Sequence, residues 1–131
     1  VILQDLATLL QSASVATMGT DLFAGRMPPH PDRVLSLYEY AGFAPLETLG
    51  AAGMALDRPS VQMIARGGRG NYPEAHALLI AARDVLIGVV DTSTNGGRLL
   101  RVRAAGSITT LGEDDNERPR LSLSLDVVAE P

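Results

Sequence analysis

The sequence contains no cysteine, no tryptophan and no lysine. Without cysteine there is no disulfide, no thiolate nucleophile and no Cys-ligated zinc. Two Phe and three Tyr are the entire aromatic content, so the core must be built from Leu, Val, Ile and Ala. Long apolar runs are missing too. None approaches the roughly 18 residues of a membrane span, and no membrane partner is expected. The opening VILQDLATLLQSA carries Gln4, Asp5 and Gln11 and no basic run, which predicts no signal peptide. Positive charge is scarce: 11 basic residues, all Arg, stand against 15 acidic ones, for a net charge of −4. That balance argues against nonspecific grip on double-stranded DNA, which needs an excess of basic side chains in a patch. It leaves room for a channel that DNA passes without being held.

What is present is a globular composition, 46% apolar and 20% charged over 131 residues, suited to one domain spanning 1–131. Ile2, Leu6, Leu9 and Leu10 recur at helical spacing and predict a first helix over 1–13. A short strand is expected at 21–27, followed by a turn at PPHPD, where Pro28, Pro29 and Pro31 lack backbone donors. RVLSLYEYA, 33–41, alternates like a strand, with Val34, Ser36, Tyr38 and Tyr40 on one face. Residues 42–58 are glycine-rich yet keep Phe43, Leu46, Leu49, Met54 and Leu56, so this long loop is expected to pack on its own domain or on a neighbouring subunit. SVQMIARG, 60–67, is a further strand.

A second helix follows. Asn71 is a good N-cap, Glu74 stands at capping-box spacing, and Pro73 lies in the tolerated first turn. Ala75, Leu78, Leu79, Ala82, Val85, Leu86 and Val89 then form one apolar stripe. TSTNGG, 92–97, reads as a turn. The segment 98–111, the acidic EDDNERP and the strand at 120–130 read as a hairpin over 98–130. In its second strand Leu121, Leu123, Leu125 and Val127 alternate with Ser122, Ser124 and Asp126, the signature of a half-buried strand. The expected fold class is α+β: a two-layer domain, its mainly antiparallel or mixed sheet covered by two helices, with a C-terminal β-hairpin.

Chemistry-bearing patterns are few. His30 and His76 lie far apart and make weak metal ligands. No nucleophile elbow or His-Glu-x-x-His is present. ARGGRGNYPEA, 65–75, has the strand, glycine turn and helix order of an anion cradle, but it lacks the Gly-Lys-Ser/Thr of a phosphate loop and reads as a plain connection. Glu113, Asp114, Asp115 and Glu117 lack the spacing and flanking helices of a calcium loop. They read as a solvated tip or an electrostatic contact. Arg66, Arg69, Arg101 and Arg103 are candidates for intersubunit salt bridges, against a solvated surface. No enzyme, cofactor or metal is expected, which leaves binding or assembly.

Several stretches in order carry a resemblance: LQDLATLLQ (3–11), GTDLFAGRMPPHPDRVLSLYEYAG (19–42), RPSVQMIARG (58–67), YPEAHALLIAARDVL (72–86) and LGEDDNERPRLSLSLDVV (111–128). Together they resemble a family of small tailed-phage proteins, the minor capsid or tail terminator proteins of siphophage-like necks. The last stretch is similar to the family's Leu-Gly-Arg-Asp-Glu-x-Gly-Arg hairpin, with Glu113 where a basic residue is common and Glu117 where Gly is common. Gly25, Arg26, Pro28, Tyr38 and Glu39 fit the pattern best.

The resemblance implies a homo-oligomeric ring, of about six copies, in the tail and neck region of the virion and assembled in the host cytoplasm. Such a ring ends tail-tube growth, meets the major tail tube protein and the head–tail connector or stopper, and lets genome DNA through its lumen. It implies no catalytic residue. The candidate subunit or partner contacts are Arg26, Tyr38, Glu39, Phe43, Leu46, Met54, Arg66, Arg69, Arg101 and Arg103. Glu113, Asp114, Asp115 and Glu117 form the candidate lumen-facing or partner-facing tip. A head-completion or stopper protein of the same neck, and a soluble binding module outside phages, are the alternatives.

Overall fold

The computed structural model describes residues 2–40, 46–47, 54–94 and 97–130. The chain runs α1 (Ile2–Ser12), β1 (Leu22–Ala24), β2 (Val34–Tyr40), β3 (Leu46–Glu47), β4 (Met54–Leu56), β5 (Ser60–Arg66), α2 (Tyr72–Ile87), β6 (Val90–Thr94), β7 (Gly97–Ala104), β8 (Thr109–Glu113) and β9 (Pro119–Glu130). Period-two alternation places Leu35, Leu37, Val61, Met63, Ala65, Leu121, Leu123, Leu125 and Val127 on one sheet face, all buried. The helical stripes Leu3, Leu6, Leu10 and Ala75, Leu78, Leu79, Ala82, Leu86 close over that face to make one core cluster. The protein is α+β, with both helices layered on one side of a mixed sheet.

Strand order is β1-β2-β5-β9-β7-β6, with β8 also pairing β9. β1 runs parallel to β2, and the other pairs are antiparallel. β9 is the spine. β5 lies along one edge of it, while β7 and then β8 occupy the other. The expected hairpin is therefore present, but its first strand breaks at 105–108, and register shifts fall between Leu99 and Arg101 and between Thr110 and Gly112. Each such bulge adds local twist.

Two expectations are corrected. The segment 92–97 is not simply a turn: Val90–Thr94 forms β6 on β7, because its valine and threonines suit an extended backbone. The first strand is only Leu22–Ala24 and stops at Gly25, whose φ of +79° belongs to the left-handed region. Within the long loop 42–58, β3 and β4 pair with each other, and Asp57 exchanges both backbone hydrogen bonds with Ala129 of β9, at 2.8 and 2.9 Å.

The entry to α2 follows the sequence signals. Asn71 Oδ1 accepts from the Glu74 backbone N–H at 3.2 Å, and Glu74 Oε1 accepts from the Gly68 N–H at 2.7 Å. Gly67 is obligatory: a Cβ there would sit 2.5 Å from the Asn71 carbonyl oxygen. In the segment 65–75, expected to be a plain connection, the chain's own Glu74 carboxylate takes the Gly68 donor, and the Gly67 and Gly70 N–H groups bond Pro119 O and Glu117 O.

Candidate functional site

The start of β2, the end of β5 and the start of β9 lie abreast, with Val34 opposite Arg66 and Arg66 opposite Arg120. Antiparallel order thus gathers three loops at one end of the sheet: the proline loop before β2, the glycine loop after β5 and the acidic turn before β9. Two buried arginines join them. Arg66 donates from Nε to Asp32 O at 3.0 Å and from Nη2 to Pro28 O and Pro31 O at 2.8 and 2.7 Å. Arg118 donates to Pro29 O and, at 3.2 Å, to Asp32 Oδ1 of the same loop. The prolines explain the arrangement: PPHPD offers carbonyls to a cation while lacking several donors of its own.

Asp114 anchors the acidic turn. Its Oδ2 accepts from Arg118 Nε at 2.8 Å, and its Oδ1 accepts from the backbone N–H groups of Asn116 and Arg118 at 2.9 and 3.0 Å. Burial pushes its carboxyl up, but these backbone and guanidinium donors outweigh that and hold it below the ordinary value. Burial, and then the adjacent charge of Arg118, lowers the affinity of the Arg66 guanidinium for its proton. His30, Asp32, Arg69, Asp115, Asn116, Glu117 and Arg118 line a polar cleft of about 410 Å³ at this corner. Among the described residues no group of three or more His, Cys, Asp or Glu is placed to hold a metal ion.

The sequence-predicted residues divide into distinct groups. Arg66, expected at a subunit contact, is buried, and its Nε and Nη2 donors bond carbonyls of the proline loop. Asp114, expected at an outward-facing tip, turns inward to Arg118. Glu113, Asp115 and Glu117 are exposed, and Glu117 pairs with exposed Arg69 at 3.0 Å. Arg26 is exposed and lies over the Phe23 ring, 5.0 Å from its centroid. Glu39 is exposed and Tyr38 half-buried on β2. Arg101 and Arg103 are exposed on β7, far along the sheet from the acidic turn. Leu46 and Met54 lie on β3 and β4, and Phe43 falls outside the described residues.

Sequence reasoning missed Arg118 and Asp32. The available signal for Arg118 was its place four residues after Asp114, immediately before the alternating strand. Exposed apolar residues are scattered: Tyr72 and Ile87, 48% and 39% exposed, stand at opposite ends of α2, and Leu111, 40% exposed, lies on β8.

With this geometry in place, the comparisons with known proteins are specific. No curated protein matches the chain in sequence. A solved chain from a structure described as "Virion of native gene transfer agent (GTA) particle" shares the fold, with a TM-score of 0.72 and 18% identity, over 98% of this chain and 94% of that one. The sequence matches the family of bacteriophage tail terminator proteins over residues 9–131, and the chain belongs to that family of structural phage-tail proteins.

Proposed function

We propose that the chain assembles as a homo-oligomeric ring of about six copies at the head-proximal end of the phage tail. There it ends growth of the tail tube and presents a docking surface to the head–tail connector or stopper. Genome DNA passes through its lumen without specific binding. The observation that carries this reading is the family match through residues 9–131.

The surface supports it. A closed ring uses two different faces of each subunit, and the sheet ends on β1 at one side and on β6 and β8 at the other. Open edges of this kind are templates for pairing with another chain. The net charge of −4 gives the subunit a negative field, which disfavours retention of DNA.

Immunogold electron microscopy of virions and isolated tails, with antibody against this chain, tests the reading. Label confined to the head-proximal end of tails is the expected result. Label kept on tail-less heads would move the chain to the head side of the joint, as a stopper. No label on either would overturn both.

A further inference from the structure

The sheet face away from the helices carries a compact basic surface toward the far end of β9. Val90, Arg101 and Val128 lie abreast in one cross-strand row. Tyr40, Ser60, Asp126 and Arg103 form another. Arg58, Arg101, Arg103, Asp126, Val127 and Val128 line a cleft of about 290 Å³. Within it, Asp126 accepts from Ser60 Oγ at 3.1 Å and stands 3.9 Å from Arg103. Arg101 makes no ion pair among the described residues. Val90 is 71% exposed and Tyr40 45%. Exposed Val90 stands directly across from Arg101, while Tyr40 lies three strands from Arg103 along its row, about 14 Å; arginine and tyrosine are both enriched at protein–protein contacts.

The acidic turn lies at the other end of the same strand. From Pro119 to Val127, β9 advances about 26 Å at roughly 3.3 Å per residue. The Asp114–Arg118 pair fixes the turn, so Glu113 and Asp115 project from an ordered scaffold and lose little freedom on binding.

We infer that these two surfaces are the halves of one interface between copies of this chain: the acidic turn of one copy seats in the arginine cleft of the next. The inference rests on the ring reading above. Opposite charges at opposite ends of β9 suit a head-to-tail contact, the kind that repeats around a closed ring. Asp126 is already engaged by Ser60 and Arg103, which leaves Arg101 as the cation beside exposed Val90, an arrangement sparser than the array of basic side chains that holds a phosphate backbone.

The cysteine-free chain makes the pairing readable. In the full chain, Asp115→Cys combined with Arg103→Cys is expected to give, on oxidation, a ladder of disulfide-linked oligomers that neither single variant gives. Arg101→Glu with Arg103→Glu is expected to abolish ring assembly, and adding Glu113→Arg with Asp115→Arg in the same chain is expected to restore it. All four positions are exposed, and unchanged thermal melts verify that the variants fold. Rings that persist in micrographs without a ladder, and survive the charge reversal, overturn the inference and leave the ring reading standing. Wild-type protein that forms no ring, alone or on isolated tails, ends both. Intact rings with lost DNA retention in the Glu variant would assign the cleft to nucleic acid and overturn the inference.

Discussion

Arg118 closes the acidic turn onto Asp114, with Nε 2.8 Å from Oδ2 while its own backbone N–H bonds Oδ1 at 3.0 Å. The same guanidinium reaches Pro29 and Asp32 of the proline loop. One side chain, 7% exposed, thus ties the hairpin to a loop more than eighty positions away in sequence. Arg118→Met keeps the stem and removes the charge. It leaves Asp114 with two backbone donors alone and takes the donor from the Pro29 carbonyl and from Asp32 Oδ1. Breaking a buried pair from one side costs on the order of 3 kcal/mol, and urea unfolding is expected to show a loss of that size.

Asp114 also sets an acid limit on stability. Its carboxyl is held below the ordinary 3.8 because the folded state favours the ionised form. Such a group contributes stability that is fully present above its unfolded value and is lost as pH falls through the depressed folded value. Asp114→Asn removes that contribution. The variant is expected to melt below the wild type at pH 7, with the gap narrowing as pH drops under 3.8. Melting curves collected from neutral to strongly acidic pH check this, and a gap constant with pH would remove Asp114 as its source.

Glu117 adopts φ +60°, a region costly to residues with a Cβ. It stands where the resemblance makes glycine common. Glu117→Gly relieves about 1 kcal/mol of backbone cost and gives up only an exposed pair with Arg69, worth at most about 1 kcal/mol. The net effect expected in denaturant titration lies between no change and a gain of about 1 kcal/mol. Glu117→Val, β-branched at the same φ, is expected to lose stability instead.

How much of this was legible depended on whether a residue's partners lie near it in sequence. The α2 entry was readable because Asn71 and Glu74 act within one turn, and β9 because alternation of Leu with Ser reports a single buried face. β6 was missed because threonine and serine before Asn95 and Gly96 carry turn chemistry as well as strand propensity. Arg66 was read as an outward charge because its acceptors, the carbonyls of residues 28, 31 and 32, are brought to it only by the β2–β5 pairing. No local pattern encodes that. Asp114 was indistinguishable from Asp115 in sequence, yet the turn faces one inward and the other outward. The hairpin resemblance held the clue, since the Asp and the closing Arg that match it are the two residues that bond.

Val90 stands directly across from Arg101 and is 71% exposed. Val90→Asp places a carboxylate beside that guanidinium within one chain. The new exposed pair is worth at most about 1 kcal/mol, and surface substitutions shift stability by about 0.5 kcal/mol, so the melting temperature is expected to hold nearly constant. Assembly is expected to weaken, because Arg101 is now neutralised within its own chain and attracts less strongly the acidic turn of a neighbouring copy. Val90→Arg adds to the positive field and is expected to leave ring formation intact or strengthen it. Sedimentation velocity at matched concentrations separates the two variants. A Val90→Asp protein that forms rings as readily as the wild type would place Arg101 outside the contact.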